Sequence, residues 1–415
     1  DLDLCLTSII ESTCFNDIEL YVVDNASSDS SVALIQKKYA DCVTLIQNET
    51  NLGGSGGFNS GLRVAMQKNY EYLMCIDNDA IIDENCIANL RTFLDEHQEC
   101  GMACAKVFYT ENPDIIQQYG ITIDYKNYCV TSKYDGTFED GSLPDYLYCD
   151  ALPACALLVR RSVIDIIGLL PEENFLYWDD TEWCTRCQLA GYRIACVGNA
   201  EALHSMGAKK ENETTFPTYY AWRNWLRFFM IHTPKEQLQT MCQSMLTFLY
   251  EDIYEAIYNN EPIKVKTLMA AFDDALHNVN GMACDGIIGN CQRDSSRLKQ
   301  ILSKYPSILI ISNGFERESF TLKSRLLALS QQENLIKIDA DIPHDITIQM
   351  CDSIFTQEDL SCSVIYADCN GNILLNEEDV YYILNYQYGL HTFIETNLQL
   401  FIRKTEKLRT LLKLS

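Results

Sequence analysis

The sequence predicts an α/β fold on three observations. Short apolar runs alternate with helix-periodic segments through the first two hundred residues, the pattern of successive βα units around a mainly parallel sheet. Acidic and small polar clusters fall where apolar runs end, at the edge where open α/β sheets bind ligands. At 415 residues and 47% hydrophobic, the chain can bury a large core and divide into two or three domains of roughly 150 residues each.

Taken in order, a helix is expected at 2–11, a strand at 18–23, a helix at 30–39 and a strand at 43–46. A helix at 58–68, a strand at 72–76 and a helix at 85–96 follow. The stretch 101–150 is rich in Tyr, Gly and Asp-Gly turn signals and should hold a hairpin. A strand at 154–159, a helix at 182–190 stopped by Gly191 and a strand at 193–197 complete this part. An α/β domain ordinarily begins with a strand, so the first strand is expected upstream of residue 1. From 217 onward the periodicity is helical, at 219–231, 235–258 and 265–277. Short strands are then expected at 307–311, 335–338 and 362–366, with a helix at 319–330. The expected organisation is therefore a domain at 1–216, a helical region at 217–303 and a small α/β domain at 304–415. The last segment, 401–415, sets Arg403, Lys404, Lys407, Arg409 and Lys413 on an amphipathic pattern. It suits an ordinary packed helix or one lying on an anionic membrane surface.

Charge and cysteine content restrict the function classes. Thirty-two Lys and Arg against 58 Asp and Glu leave a net charge of −26. So acidic a surface excludes a general nucleic-acid binder, which needs a basic footprint. No run of 18 apolar residues predicts a spanning helix, and no basic-then-apolar leader marks export, so a cytoplasmic location is expected. The 19 cysteines are scattered in apolar runs and read as small buried hydrophobes in a reducing compartment. The one CxxC, Cys184 with Cys187, lacks a second pair at zinc spacing. The sequons at Asn48 and Asn212 carry no meaning without export.

Four clusters carry chemistry. Val23-Asp24-Asn25-Ala26-Ser27 places a carboxylate and an amide at a strand end, either as a ligand site or as a plain βα turn. Asn51-Leu52-Gly53-Gly54-Ser55-Gly56-Gly57 allows close backbone approach to a ligand at a helix start. In dinucleotide-fingerprint register its final position falls on Asn59, and no acidic residue follows at the usual offset, so a dehydrogenase is disfavoured. Asp77-Asn78-Asp79 ends an apolar strand, where two carboxylates can share a divalent cation with a ribose or phosphate. Trp178-Asp179-Asp180-Thr181-Glu182-Trp183 combines a sugar-stacking surface with a candidate general base. His204, after the next strand, could complete a metal shell.

These clusters, in this order, resemble the family-2 glycosyltransferases over roughly residues 1–232. Tyr220-Ala-Trp-Arg223-Asn224 is similar to a Tyr/Arg-Asn segment of bacterial members. The glycine run and the Trp178-Asp-Asp form look most like bacterial galactofuranosyltransferases, with rhamnosyltransferases next. The resemblance implies a GT-A fold, a mixed sheet with flanking helices. It also implies a nucleotide-sugar donor, a Mn²⁺ or Mg²⁺ cofactor and a glycan or lipid-linked glycan acceptor. Asp24 would contact the base, with Asn25 and the 51–54 loop, including Asn51, Gly53 and Gly54, beside the nucleoside. Asp77 would sit near ribose and metal, and Asp79 and His204 would ligate the metal. Asp180 would be the base, Asp179 would bind the acceptor, and Trp178 would shape its site.

That implies inverting transfer in cell-surface polysaccharide synthesis, leaning to galactofuranose from UDP-galactofuranose, at the inner membrane face. A rhamnosyltransferase using dTDP-rhamnose is the alternative, and a non-catalytic sugar-nucleotide-binding assembly module is another. Helical packing beside the active site, self-association and membrane docking are the readings for 217–415.

Overall fold

The computed structural model describes residues 1–205, 214–291, 294–330, 336–340, 343–357, 364–375 and 377–412. The chain opens with α1 (Leu2–Ile10), β1 (Leu20–Asp24), α2 (Ser31–Lys38), β2 (Val43–Gln47) and α3 (Gly53–Ala65). Strands β1 and β2 form a parallel pair. Then come β3 (Tyr72–Ile76), β4 (Ala80–Ile82), α4 (Cys86–Glu96), β5 (Cys100–Tyr109) and β6 (Asn112–Gln118). The expected hairpin is β7 (Ile121–Asp124) with β8 (Cys129–Ser132). After β9 (Tyr146–Tyr148) and β10 (Ala156–Arg160) follow α5 (Arg161–Ile167), α6 (Asp179–Leu189) and β11 (Arg193–His204).

The main sheet runs β3-β10-β5-β11-β4, with β6 on β5 and β9 on β11. Only β5 and β11 pair in parallel; β10 is antiparallel to both neighbours and β4 to β11. The alternation of elements therefore misleads about strand direction. The chain reaches β10 through β-hairpins rather than a helical crossover, so it enters reversed.

Strand β5 is the buried axis of this sheet. One face carries Leu62 of α3, Val163 of α5 and Trp183 of α6. The other carries Cys5 and Ile9 of α1 and Leu90 and Phe93 of α4. Small Ala and Cys side chains along β5 let helices approach from both sides. Ten of the eighteen described cysteines are buried and all eighteen are free. Strands β1 and β3 do not pair with each other, and a cavity of about 630 Å³ lies between them under α1 and α3.

Beyond the sheet, α7 (Phe216–His232), α8 (Leu238–Tyr258) and α9 (Pro262–Leu276) pack together, followed by α10 (Ser296–Lys304). Strands β12 (Ile308–Ile311), β13 (Ile336–Ile338), β14 (Ile346–Cys351) and β15 (Ile365–Asp368) are parallel in the order β13-β12-β14-β15. Helix α11 (Glu316–Ser330) links the first two strands, and β16 (Ile373–Leu374) closes the edge antiparallel. The 35-residue α12 (Glu377–Leu411) then runs back across α8.

Helix α10, strand β14 and most of α12 are additional to the expected elements. Residues 335, 362 and 363 of two expected strands, the sequon at Asn212 and Lys413 lie outside the described residues. The basic end of α12 buries Phe401 and Leu408 against α7 to α9, and Lys404 lies 2.8 Å from His277. Among the described residues no helix is long and apolar enough to cross a membrane.

Candidate active site

Strands β3 and β11 deliver the first half of the site. The β3–β4 turn carries Asp77 and Asp79, fixed by Asp77 N–H to the Cys155 carbonyl at 3.1 Å and Ala80 N–H to the Asp77 carbonyl at 3.1 Å. Strand β11 is longer than the sequence suggests and ends on His204, paired with Ala80 of β4 and Tyr109 of β5. His204 Nε2 thereby lies 3.3 Å from Asp79 Oδ1 and 3.7 Å from Asp77 Oδ2. One ligand atom from each of the three residues falls within 4.8 Å of the others.

Gln117 of β6 has no signal in the sequence and is decisive here. Its amide donates to the His204 carbonyl at 2.9 Å, which orients its Oε1 to accept from His204 Nδ1–H at 2.8 Å. The opposite nitrogen is thus the one directed at the carboxylates.

Helix α6 supplies the second half. Asp179 and Asp180 occupy its first turn, and the charge of Asp180 acts on both Asp77 and Asp179. The Asp180 Oδ1 accepts from Thr181 N–H at 2.6 Å and from the Thr181 hydroxyl at 3.2 Å. Burial pushes the pKa of Asp77 up, with Asp79 and Asp180 adding to it against His204. Burial and then Asp180 raise Asp179. Burial raises Asp180 against its bonds from Thr181 and Ala154. Burial acts to lower His204, but the hydrogen bond to Asp79 and the charges of Asp79 and Asp77 prevail and raise it. Carboxylates held against their own repulsion beside an oriented imidazole suit a Mn²⁺ or Mg²⁺ ion by donor chemistry.

The segment entering α6 is strained. Phe175, Tyr177 and Trp178 all have φ near +65°, each costing about 1–3 kcal/mol for a non-glycine residue. Leu176 N–H bonds the Asn174 carbonyl at 2.7 Å, closing a γ-turn at Phe175, whose φ is 65° and ψ −53°. The Trp178 ring lies 5.2 Å from Phe228 and 5.8 Å from Phe229. Trp178 is thus packed on α7, while Tyr177 is 41% exposed.

The glycine run differs from its expected loop. Helix α3 begins at Gly53, so the glycines form its opening turns. A Cβ on Gly53 would lie 2.1 Å from the Phe175 carbonyl oxygen, and its φ is +76°. This close approach joins the glycine helix to the segment before α6. Asp24, Asn25, Gly53, Gly54 and Asp77 all line the cavity. Asp24 Oδ1 accepts from Ser27 N–H at 3.2 Å. Asn25 donates to Asn51 Oδ1 and the Gly53 carbonyl, and accepts from Asn48 and Leu52 N–H. Both side chains therefore organise the turn, and Asn51 caps Gly53 N–H at 2.8 Å. Among the described residues lining the cavity, Arg91 is the one basic side chain, and it faces Asp17 at 3.6 Å.

A mixed sheet whose edge gathers an Asp-x-Asp turn, a histidine and an acidic helix start is the GT-A fold class that the sequence resemblance implies. Residues 1–166 match Glycosyl transferase family 2. It is 26% identical over 211 residues to the dTDP-rhamnosyl transferase RfbF of Shigella flexneri, covering 50% of this chain and 66% of that protein. It is 24% identical over 206 residues to the galactofuranosyltransferase GlfT2 of Mycolicibacterium smegmatis, covering 45% and 31%. The chain thus spans about two thirds of the first relative and about a third of the second. Among solved structures, S. aureus TarS 1-349 in complex with UDP-GlcNAc aligns at 17% identity with a TM-score of 0.43, over 67% of this chain and 77% of that one.

Proposed function

We propose that this protein is an inverting, metal-dependent glycosyltransferase moving a sugar from a nucleotide donor to a hydroxyl of a glycan or lipid-linked glycan. The observation that supports the reading is the convergence of Asp77, Asp79 and His204, residues up to 127 positions apart, within ligand distance of one another, with the charge of Asp180 acting on Asp77.

Asp77, Asp79 and His204 would hold Mn²⁺ or Mg²⁺, which when bound offsets the negative charge of a departing diphosphate. With a net charge of −26 and, among the described residues, one basic side chain along the cavity, a bound cation would be a useful counterweight to a diphosphate. Asp24 and the Gly53–Gly54 backbone would face the nucleoside, with Asn25 and Asn51 holding that turn. Asp180 would take the acceptor proton on its carboxylate. Its raised affinity for a proton, caused by burial, favours that role. The acceptor oxygen would bond the anomeric carbon from the side opposite the diphosphate as the bond to the diphosphate oxygen breaks, which inverts that carbon. Asp179 and the exposed Tyr177 would meet the acceptor sugar.

UDP-galactofuranose is our preferred donor, on the glycine-run and Trp-Asp-Asp form. The similarity to RfbF, which spans the larger share of its relative, supports dTDP-rhamnose as the second reading. Incubating the protein with a panel of sugar nucleotides, a glycan acceptor and Mn²⁺ tests both. Metal-dependent transfer from one of these donors is expected; donor binding without turnover would leave a non-catalytic module instead.

A further inference from the structure

Helix α7 lies outside the crevice, yet one of its faces is committed to the segment that carries the acidic pair. Arg223 and Asn224 are each 1% exposed. Asn224 Nδ2 donates to the carbonyls of Asn174 at 2.9 Å, Leu176 at 2.7 Å and Tyr177 at 3.0 Å. Arg223 Nη2 donates to the Asn174 carbonyl at 2.8 Å, and Nη1 to the Gly281 carbonyl at 2.7 Å. Gly281 N–H in turn bonds the Glu173 carbonyl at 2.8 Å.

Along the same face, Tyr220 stacks on Phe175 at 4.9 Å. Phe228 packs on Trp178, and His232 meets Glu182 of α6 at 2.6 Å. These residues recur at helical spacing, so one stripe of α7 grips the segment from 174 to 182.

Two features are costly unless they serve this grip. A buried guanidinium ordinarily pairs with a carboxylate; Arg223 has none among the described residues and is satisfied by carbonyls and the rings of Tyr219 and Tyr220. Three consecutive-region residues in left-handed backbone persist only where the surroundings dictate them. Apart from that of Gly281, the carbonyls that Asn224 and Arg223 collect belong to that very segment, the last of them at Tyr177, two residues before Asp179.

We propose that Arg223 and Asn224 are positioning residues that hold 174–178 in its left-handed path and thereby aim Asp179 and Asp180 at Asp77. This deepens the glycosyltransferase reading and rests on it. Neither residue touches substrate; they act through the backbone that ends at Trp178.

The test uses the full chain carrying Asn224→Asp, which keeps the shape and removes the donor, and separately Arg223→Lys. Turnover should fall about a hundredfold, the loss expected for a reacting group misplaced by an ångström. The donor KM and Mn²⁺ affinity should stay within about threefold, because their residues lie on other elements. Hydrogen exchange should accelerate at 175–182 while β5 amides stay protected. Unchanged turnover per folded molecule, an equal loss of donor affinity, or exchange that rises uniformly would overturn the proposal. If Asn224→Asp does not fold, Arg223→Lys carries the same readouts, and failure of both to fold assigns α7 to stability alone and also overturns it. A wild type inactive with every donor would instead sink the functional reading, and exchange confined to 175–182 would keep the grip itself.

Discussion

His204 donates through Nδ1 to Gln117 Oε1 at 2.8 Å, and this directs its Nε2 toward Asp79 at 3.3 Å. A side chain on β6 therefore decides how a residue at the end of β11 meets the β3–β4 turn. Outer hydrogen bonds of this kind typically contribute 10- to 100-fold to metal affinity. Gln117→Leu should weaken Mn²⁺ binding by that factor in calorimetry, with the thermal transition little changed.

Asp180→Asn should lower kcat by about 10²–10⁴, the range of a general base, with donor affinity preserved. Comparing steady-state rates with direct donor titration measures this. A parallel loss of donor affinity would place Asp180 on the donor instead.

Metal and pH should act together. Burial and mutual repulsion raise Asp77 and Asp179 in the free protein, so these groups hold protons above the range of an ordinary carboxylate. Such groups favour the metal-free fold at low pH and lose that contribution as pH rises. A cation held by Asp77 needs that carboxylate ionised, and its binding releases protons. Mn²⁺ should therefore raise Tm more at pH 8 than at pH 5.5, and chelation should erase the difference.

Asp252 of α8 offers a stability test away from the crevice. It accepts from Trp222 Nε1 at 2.6 Å, and burial lifts its pKa to about 6. The native state thus binds the extra proton between the unfolded value near 4 and about 6. Stability from this group is present at low pH and declines through that window. Asp252→Asn should stabilise the protein by about 1–3 kcal/mol at pH 7.5, the gain closing by pH 4 in denaturant titrations.

Gly53→Ala should destabilise by more than about 1 kcal/mol. Its Cβ would strike the Phe175 carbonyl, and its φ is +76°. A lower urea midpoint with an unchanged slope is the expected signature.

The clusters at Asp24 and at Asp77 with Asp79 are legible because each follows an apolar strand, and strand ends are where a sheet presents ligands; Asp179 and Asp180 open α6 and are legible as an acidic pair between two tryptophans. Local patterning also marked α1, β3, α4 and α7 within a few residues. Strand direction was not legible, since β10 reverses through pairings set by distant partners. The extent of α3 was missed because glycine reads as a loop; here it permits close packing on Phe175. Trp178, expected to shape the acceptor site, packs its ring on Phe228 and Phe229 of α7. Gln117 is a single polar residue in an unremarkable context, and only folding brings it to His204.

Mn²⁺ titration in the presence of a nucleoside diphosphate, on wild type and on Asp79→Asn and His204→Ala, is the most direct trial. A single saturable Mn²⁺ is expected in the wild type, weakened at least tenfold in each variant. Equal affinity in all three proteins would show that these residues hold no cation.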